Sequence, residues 1–240
     1  MFYYYHCYAQ VDWVGHTGGA YTEIDPYGSL NCPGCNGFID NEMWLADPNS
    51  SQCANIPIFK ACWVESGIST WGPNNPNSCN QGHDSTCVFW ADERPNGGKY
   101  HEHPLFNIGP DGTSLDPWYF FITIENHNNA SSSSGIWDVS VAVFKNGNYF
   151  TTKSAQSVFG TGNSMNANII RVGSELSAVN GASASRNYFN YNEWLQGNGS
   201  FTYQTQTAVN TSTNPPPNGA WNVYPCNCSG NTGGSWETWD

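Results

Sequence analysis

Basic residues are nearly missing from this sequence: Lys and Arg together number seven in 240 residues, against nineteen Asp and Glu. The formal charge of −12 therefore arises mostly from missing bases, and a phosphate backbone or an anionic membrane surface would repel the molecule. This argues against nucleic acid as a partner. Long apolar runs are also lacking, since none approaches the ~20 residues needed to cross a bilayer, which argues against membrane insertion. Charged residues of both signs make up only 11% of the chain, while Gly, Asn, Ser and aromatics abound. Such a composition suits short strands joined by turns and disfavours long helices, which want Ala, Leu, Glu and Lys. The opening stretch MFYYYHCYAQ has neither the basic nor the apolar region of a signal peptide, and reads as the start of a mature chain.

Cysteine, by contrast, is plentiful. Nine residues, Cys7, Cys32, Cys35, Cys53, Cys62, Cys79, Cys87, Cys226 and Cys228, are too many for an ordinary cytosolic domain and imply disulfides made in an oxidising, extracellular setting. An odd count leaves one free thiol or one intermolecular bridge. Cys79 and Cys87 bracket a short loop that a bridge would close, and Cys32 and Cys35 in CPGC either bridge a turn or pair elsewhere. A redox CxxC would sit at the start of a helix in an α/β fold, and a zinc site would need a complementary pair at ligand spacing. Neither context is present, so structural disulfides are expected. Tripeptides at Asn49, Asn129, Asn198, Asn210 and Asn227 match the glycosylation pattern, which chance also produces in an Asn- and Ser-rich chain.

Alternating runs between turn residues recur along the chain. GGAYTEI, GFIDNEMWLA, IFKACWVES, CVFWADE, GKYHEHPLF, WYFFITIENH, IWDVSVAVFKNGNYF, ANIIRVGSELSA, NYFNYNEWL and SFTYQTQT read as strands, with tight hairpins at residues 95 to 98 and at Asn146-Gly147. About ten strands at this spacing predict one all-β domain over residues 1 to 209, a two-sheet antiparallel β-sandwich of jelly-roll type. Residues 210 to 240, rich in Pro, Gly, Asn and Trp, are expected to form an extension packed on the sandwich or on a neighbour.

Several side chains carry chemistry. His101 and His103 share one face of their strand and Glu102 takes the other, so the two imidazoles could chelate a metal if His83 or Asp84 supplied a third ligand; hydrogen-bonding histidines are the plainer reading, and no cofactor is expected. No Gly-x-Ser-x-Gly elbow is present and no His stands by an obvious nucleophile, which leaves carboxylates. Glu175 lies in an otherwise apolar and small-residue strand, where burial would raise its pKa and suit it to acid or base work; an ion pair with Arg171 on the same face is the alternative. Aromatics on nearly every strand, Trp63, Trp90, Tyr100 and Trp194 with Glu102 among them, offer a substrate surface that would stack on sugar rings or grip a polypeptide, or else fill the core or a subunit contact.

Taken in order, FYYYHCYAQ, GGAYTEI, IFKACWVESG, VFWADE, RVGSELSAVNGA and YFNYNEW resemble the neprosin domain and its bacterial relatives, which share a two-sheet sandwich with the glutamic peptidases. The resemblance spans roughly residues 3 to 195, and its best single piece is Gly173-Ser174-Glu175 against the family's Gly-Gly-Glu. It implies an acid-acting endopeptidase. In such enzymes the Glu of that strand shares a water with a Glu or Gln from an adjacent strand, two positions before a Gly; one group takes the water's proton while the other stabilises the oxyanion. Read on Phe59-Lys60-Ala61-Cys62-Trp63, the resemblance puts Lys60 at the second position, where it would form a salt bridge with Glu175. On that alignment Glu65, five residues on, is expected to face away from the site, and Glu93 or Asp92 would have to replace it. Three functions follow as expectations: a Glu-centred endopeptidase; a degenerate relative binding glycan or polymer; or an extracellular, self-associating structural subunit.

Overall fold

The structure, a computed structural model, describes residues 7–32, 37–48, 52–53, 61–71, 85–95, 100–127, 133–176, 183–196, 202–207, 210–214, 222–226 and 234–239. In chain order its strands are β1 (Cys7–Val14), β2 (Gly19–Pro26), β3 (Leu30–Asn31), β4 (Phe38–Asp47), β5 (Cys62–Trp71), β6 (Ser85–Glu93), β7 (Tyr100–Pro110), β8 (Trp118–Asn126), β9 (Ser133–Ser134) and β10 (Ile136–Lys145). They continue as β11 (Asn148–Val158), β12 (Met165–Asn166), β13 (Ile169–Leu176), β14 (Ser183–Ala184), β15 (Asn187–Leu195), β16 (Tyr203–Thr205), β17 (Asn210–Asn214), β18 (Asn222–Cys226) and β19 (Gly234–Trp239).

Two antiparallel sheets hold nearly all of them. The first runs β17-β1-β13-β4-β5-β6-β7; the second runs β11-β10-β8-β2-β15-β19-β18, with β16 also on β15. The all-β sandwich expected from the alternating runs is therefore present. Residues of the 210 to 240 stretch contribute β17 to the first sheet and β18 and β19 to the second. At Asn146 and Gly147 φ is 54° and 73°, the left-handed pair that a two-residue hairpin requires, and Asn and Gly tolerate it best.

Period two explains the core. Val11, Met43, Val64, Ile68, Val88, Ile170 and Val172 point inward from the first sheet, and Ile24, Phe120, Ile122, Trp137, Val141 and Phe189 meet them from the second. Trp236 of β19 enters the same core and donates its indole N–H to the Val172 carbonyl at 3.2 Å. A buried polar chain also crosses the interior: Asn41 Nδ2 donates to Asn187 Oδ1 at 2.8 Å, and Ser174 Oγ lies 2.6 Å from both Asn41 Oδ1 and Thr238 Oγ1. Because Asn41 and Ser174 are sequence neighbours of Glu42 and Glu175, this chain fixes the strands behind those two acids.

Cys53 and Cys62 form a disulfide, a pairing that sequence spacing did not suggest, and Cys32 and Cys87 are each disulfide-bonded. Cys35 and Cys79 lie outside the described residues. Cys7 is a buried free thiol, one of the two outcomes an odd count allows.

Candidate active site

Every strand of the first sheet presents its second face away from the sandwich core, and on that face acids collect. Register places them. On β13, Glu175 stands opposite Tyr8 of β1 and Asp40 of β4; on β4, Glu42 stands opposite Gly173 and Gly67; on β5, Glu65 stands opposite Trp44 and Ala91; on β7, Glu102 stands opposite Ala91. Glu42 is thus the diagonal neighbour of Glu175 on one side and of Glu65 on the other, the spacing at which long side chains still meet.

The two glycines beside Glu42 are required by close approach. A Cβ on Gly67 would come within 2.1 Å of the Asn41 carbonyl oxygen, and one on Gly173 within 2.2 Å of the Ala9 carbonyl oxygen. Gly173, Gln10, Trp44 and Arg171 line a shallow hollow at the side of Glu42.

Asp40, Glu42, Glu65 and Glu175 are all buried. Burial drives the carboxyls of Asp40, Glu42 and Glu65 well above the usual carboxylate range, and the neighbouring acids push them further: Glu102 acts chiefly on Asp40, Glu65 on Glu42, and Glu175 on Glu65. Glu102, half-buried, is pushed up to about 8 for the same first reason, with Glu175 adding to it. Each of these four is acted on by other carboxyls, not by a base. Protons must therefore be shared among the acids wherever they lie within hydrogen-bonding reach.

Phenols and indoles surround the acids. The Tyr100 hydroxyl is 3.1 Å from Glu65 Oε1 and 3.1 Å from Glu102 Oε2 and can donate to one at a time. Tyr8 faces Glu175, and burial with that neighbour raises its phenol far above its ordinary value. Trp44 stacks on Trp63 at 5.7 Å, Tyr8 meets Trp44 edge-on at 5.7 Å, and Trp63 leans against Tyr100 at 6.3 Å, giving one aromatic row beside the carboxyls.

Of the residues singled out in the sequence, Glu175, Glu102, Trp63 and Tyr100 come together here. Others do not. Lys60 lies outside the described residues. Glu65, expected to face away, shares the face of Glu175: β5 runs from Cys62 to Trp71, and its pleat puts Trp63, Glu65 and Gly67 on the acid side. Glu93, pushed up to about 7 by burial and by Asp92, is opposite Trp63 at the rim and is not acted on by Glu175. Trp90 points into the core on the other face, where it stacks on His103 at 4.7 Å, and Trp194 belongs to the second sheet and stacks on Trp13 at 4.9 Å. His101 places Nδ1 3.2 Å from Asp92; His83 and Asp84, the third-ligand candidates, lie outside the described residues, among which no group of three or more His, Cys, Asp or Glu could hold a metal ion. Arg171 turns from Glu175 to Asp12, Nε to Oδ1 at 3.5 Å.

Sequence reading missed Tyr8, Asp40, Glu42 and Glu65 as members of the site. For Glu65 a signal existed. Glu65-Ser66-Gly67 is a Glu two positions before a Gly, the pattern that the resemblance assigned to the stretch around Lys60.

No family model matches the chain, and no curated protein matches it in sequence. Solved structures do match in shape. Scytalido-glutamic peptidase with a transition-state analog inhibitor superposes with a TM-score of 0.60 at 7% identity over 97% of both chains, and the same enzyme with a peptide-based transition-state analog gives 0.56 at 9%. SCP-B, a member of the eqolisin family of peptidases in complex with the tripeptide Ala-Ile-His, gives 0.55 at 9%, again over 97% of both chains. Identity this low speaks to architecture alone, and in architecture the chain is a glutamic-peptidase-like β-sandwich.

Proposed function

We propose that the protein is an acid-acting endopeptidase of the glutamic type, with Glu175 and Glu65 as its catalytic residues. The observation that carries this reading is the presence of Glu175, from Gly173-Ser174-Glu175, and Glu65, two residues before Gly67, on one buried face whose nearest charges are other acids. Its likeness in fold to peptidases caught with transition-state analogues supports it.

The chemistry is a proton exchange around one attacking water. The Glu175 carboxylate takes a proton from the water as its oxygen bonds to the scissile carbonyl carbon. The Glu65 carboxylic acid gives its proton to the carbonyl oxygen, so a neutral tetrahedral diol forms. The diol hydroxyl beside Glu65 then returns its proton to the Glu65 carboxylate while Glu175 delivers its proton to the amide nitrogen; the carbon–nitrogen bond breaks, and acid and amine leave with both glutamates back in their starting states. Burial and the neighbouring Glu175 hold Glu65 protonated well above the usual carboxylate range, as a general acid requires. The polypeptide would lie along the aromatic row from Tyr8 to Tyr100. We read the enzyme as extracellular on its Cys53–Cys62 disulfide and cysteine-rich sequence.

The test is cleavage of a denatured protein across acid to neutral pH. Wild type should cut in acid, and Glu175→Gln and Glu65→Gln should each lose the activity while remaining folded by circular dichroism. A wild type that cuts nothing, or a Glu65→Gln variant as active as wild type, removes this assignment.

A further inference from the structure

Two glutamates of identical chemistry can divide into a base and an acid only if something makes them different. Glu42 stands between them on the intervening strand, β4, with Glu175 and Glu65 as its two diagonal neighbours. Register sets Glu42 and Glu175 diagonally across one ladder on the same buried face, a spacing at which long side chains reach one another and two carboxyls can meet only by sharing a proton. Glu42 Oε2 is buried and has no hydrogen-bond partner among the described residues. A charged carboxylate with a buried, unpartnered oxygen is far costlier than a neutral acid in the same place. The proton therefore belongs on Glu42, which faces Glu175, itself opposite Tyr8 in the register.

We propose that Glu42 is a positioning residue whose neutral carboxyl donates a hydrogen bond to the Glu175 carboxylate, setting Glu175 as the base and leaving Glu65 as the acid. This rests on the peptidase reading for its role in catalysis, but the location of the proton does not depend on it. The titratable and charged groups that face Glu42 are Tyr8 of β1, Glu175 of β13, Asp40 of its own strand, Glu65 of β5 and Tyr100 of β7; Arg171 of β13 lines the hollow beside it while pairing with Asp12.

The experiment compares Glu42→Gln, which keeps a donor to Glu175, with Glu42→Leu, which removes it at similar volume. In the pH profile of kcat/KM, Glu42→Leu should move the acid limb upward by about one pH unit, because the charged form of the base has lost a donor. Glu42→Gln should leave that limb in place. An equal shift in both variants, or none in Glu42→Leu, overturns the proposal. Carbon-detected NMR titration of glutamate carboxyls supplies a readout free of activity and of the folding of Glu42→Leu: the wild-type signal that is missing from Glu42→Gln is that of Glu42, and it should stay protonated as the pH rises. A Glu42 signal that ionises with the ordinary carboxyls also overturns the proposal. If wild type cleaves no substrate, the peptidase reading falls alone, and the NMR arm still decides where the proton sits.

Discussion

Asp92 and Glu42 are equally hidden, on strands of the same sheet, yet their surroundings are opposites. Asp92 is fully buried and fully partnered: Arg94 Nε lies 2.9 Å from Oδ1, His101 Nδ1 3.2 Å from Oδ1, and Ser157 Oγ 2.6 Å from Oδ2. Through Ser157 on β11 it ties the second sheet to the first. Glu42 has other acids for neighbours and a bare oxygen. A buried charge that finds bases and donors is a structural fixture, whereas a cluster of acids brought together at an energetic cost marks a place where chemistry is wanted.

The largest contrast should appear in turnover. Glu175→Gln or Glu65→Gln should lower kcat/KM by about 10²–10⁴-fold with little loss of folding stability, the span that general acid–base groups contribute. Asp92→Ala should do the reverse. It takes their acid from Arg94 and His101 and unties β11, so urea unfolding should show a loss of about 1–3 kcal/mol, with activity per folded molecule retained. If Asp92→Ala instead abolished turnover in fully folded protein, the division drawn here would fail.

Acidity should separate the two regions next. Carboxyls raised in the folded state bind more protons folded than unfolded, so stability is complete below the unfolded value and falls as pH rises toward the folded one. With Glu93 near 7 and Glu102 near 8, the melting temperature should drop steadily from about pH 4.5 to beyond 8, each such group contributing about 1.4 kcal/mol per pH unit within its window. Glu102→Gln should flatten that slope. Smaller still, Tyr100→Phe removes the hydroxyl that restrains the rise of Glu65 and Glu102, and should move the alkaline limb of the activity profile upward by a few tenths of a pH unit.

Much of the fold was legible because strands write themselves with period two: the run Trp137, Val139, Val141, Val143 and the Asn146-Gly147 turn define β10, its hairpin and its inner face without further help. The site was harder to read for the same reason. On β4 and β5 both faces are buried, so alternation shows that two faces exist but not which one meets the core. Counting from Lys60 then sent Glu65 to the wrong side, and Asp40 and Glu42 carried no mark to distinguish them from a solvated strand. Glu175 was found because its small-residue context, with the glycine that Glu42 needs opposite it, is unusual for a strand.

One consequence concerns how the molecule is made. β1, near the amino end, is flanked on its outer side by β17, while β18 and β19 complete the far edge of the second sheet and Trp236 fills the core behind Val172. Neither layer is finished until residues beyond 210 have left the ribosome, so the nascent chain must wait with its early strands half assembled. Closure of this sandwich therefore follows the synthesis of residues past 210, whose strands are added to both halves.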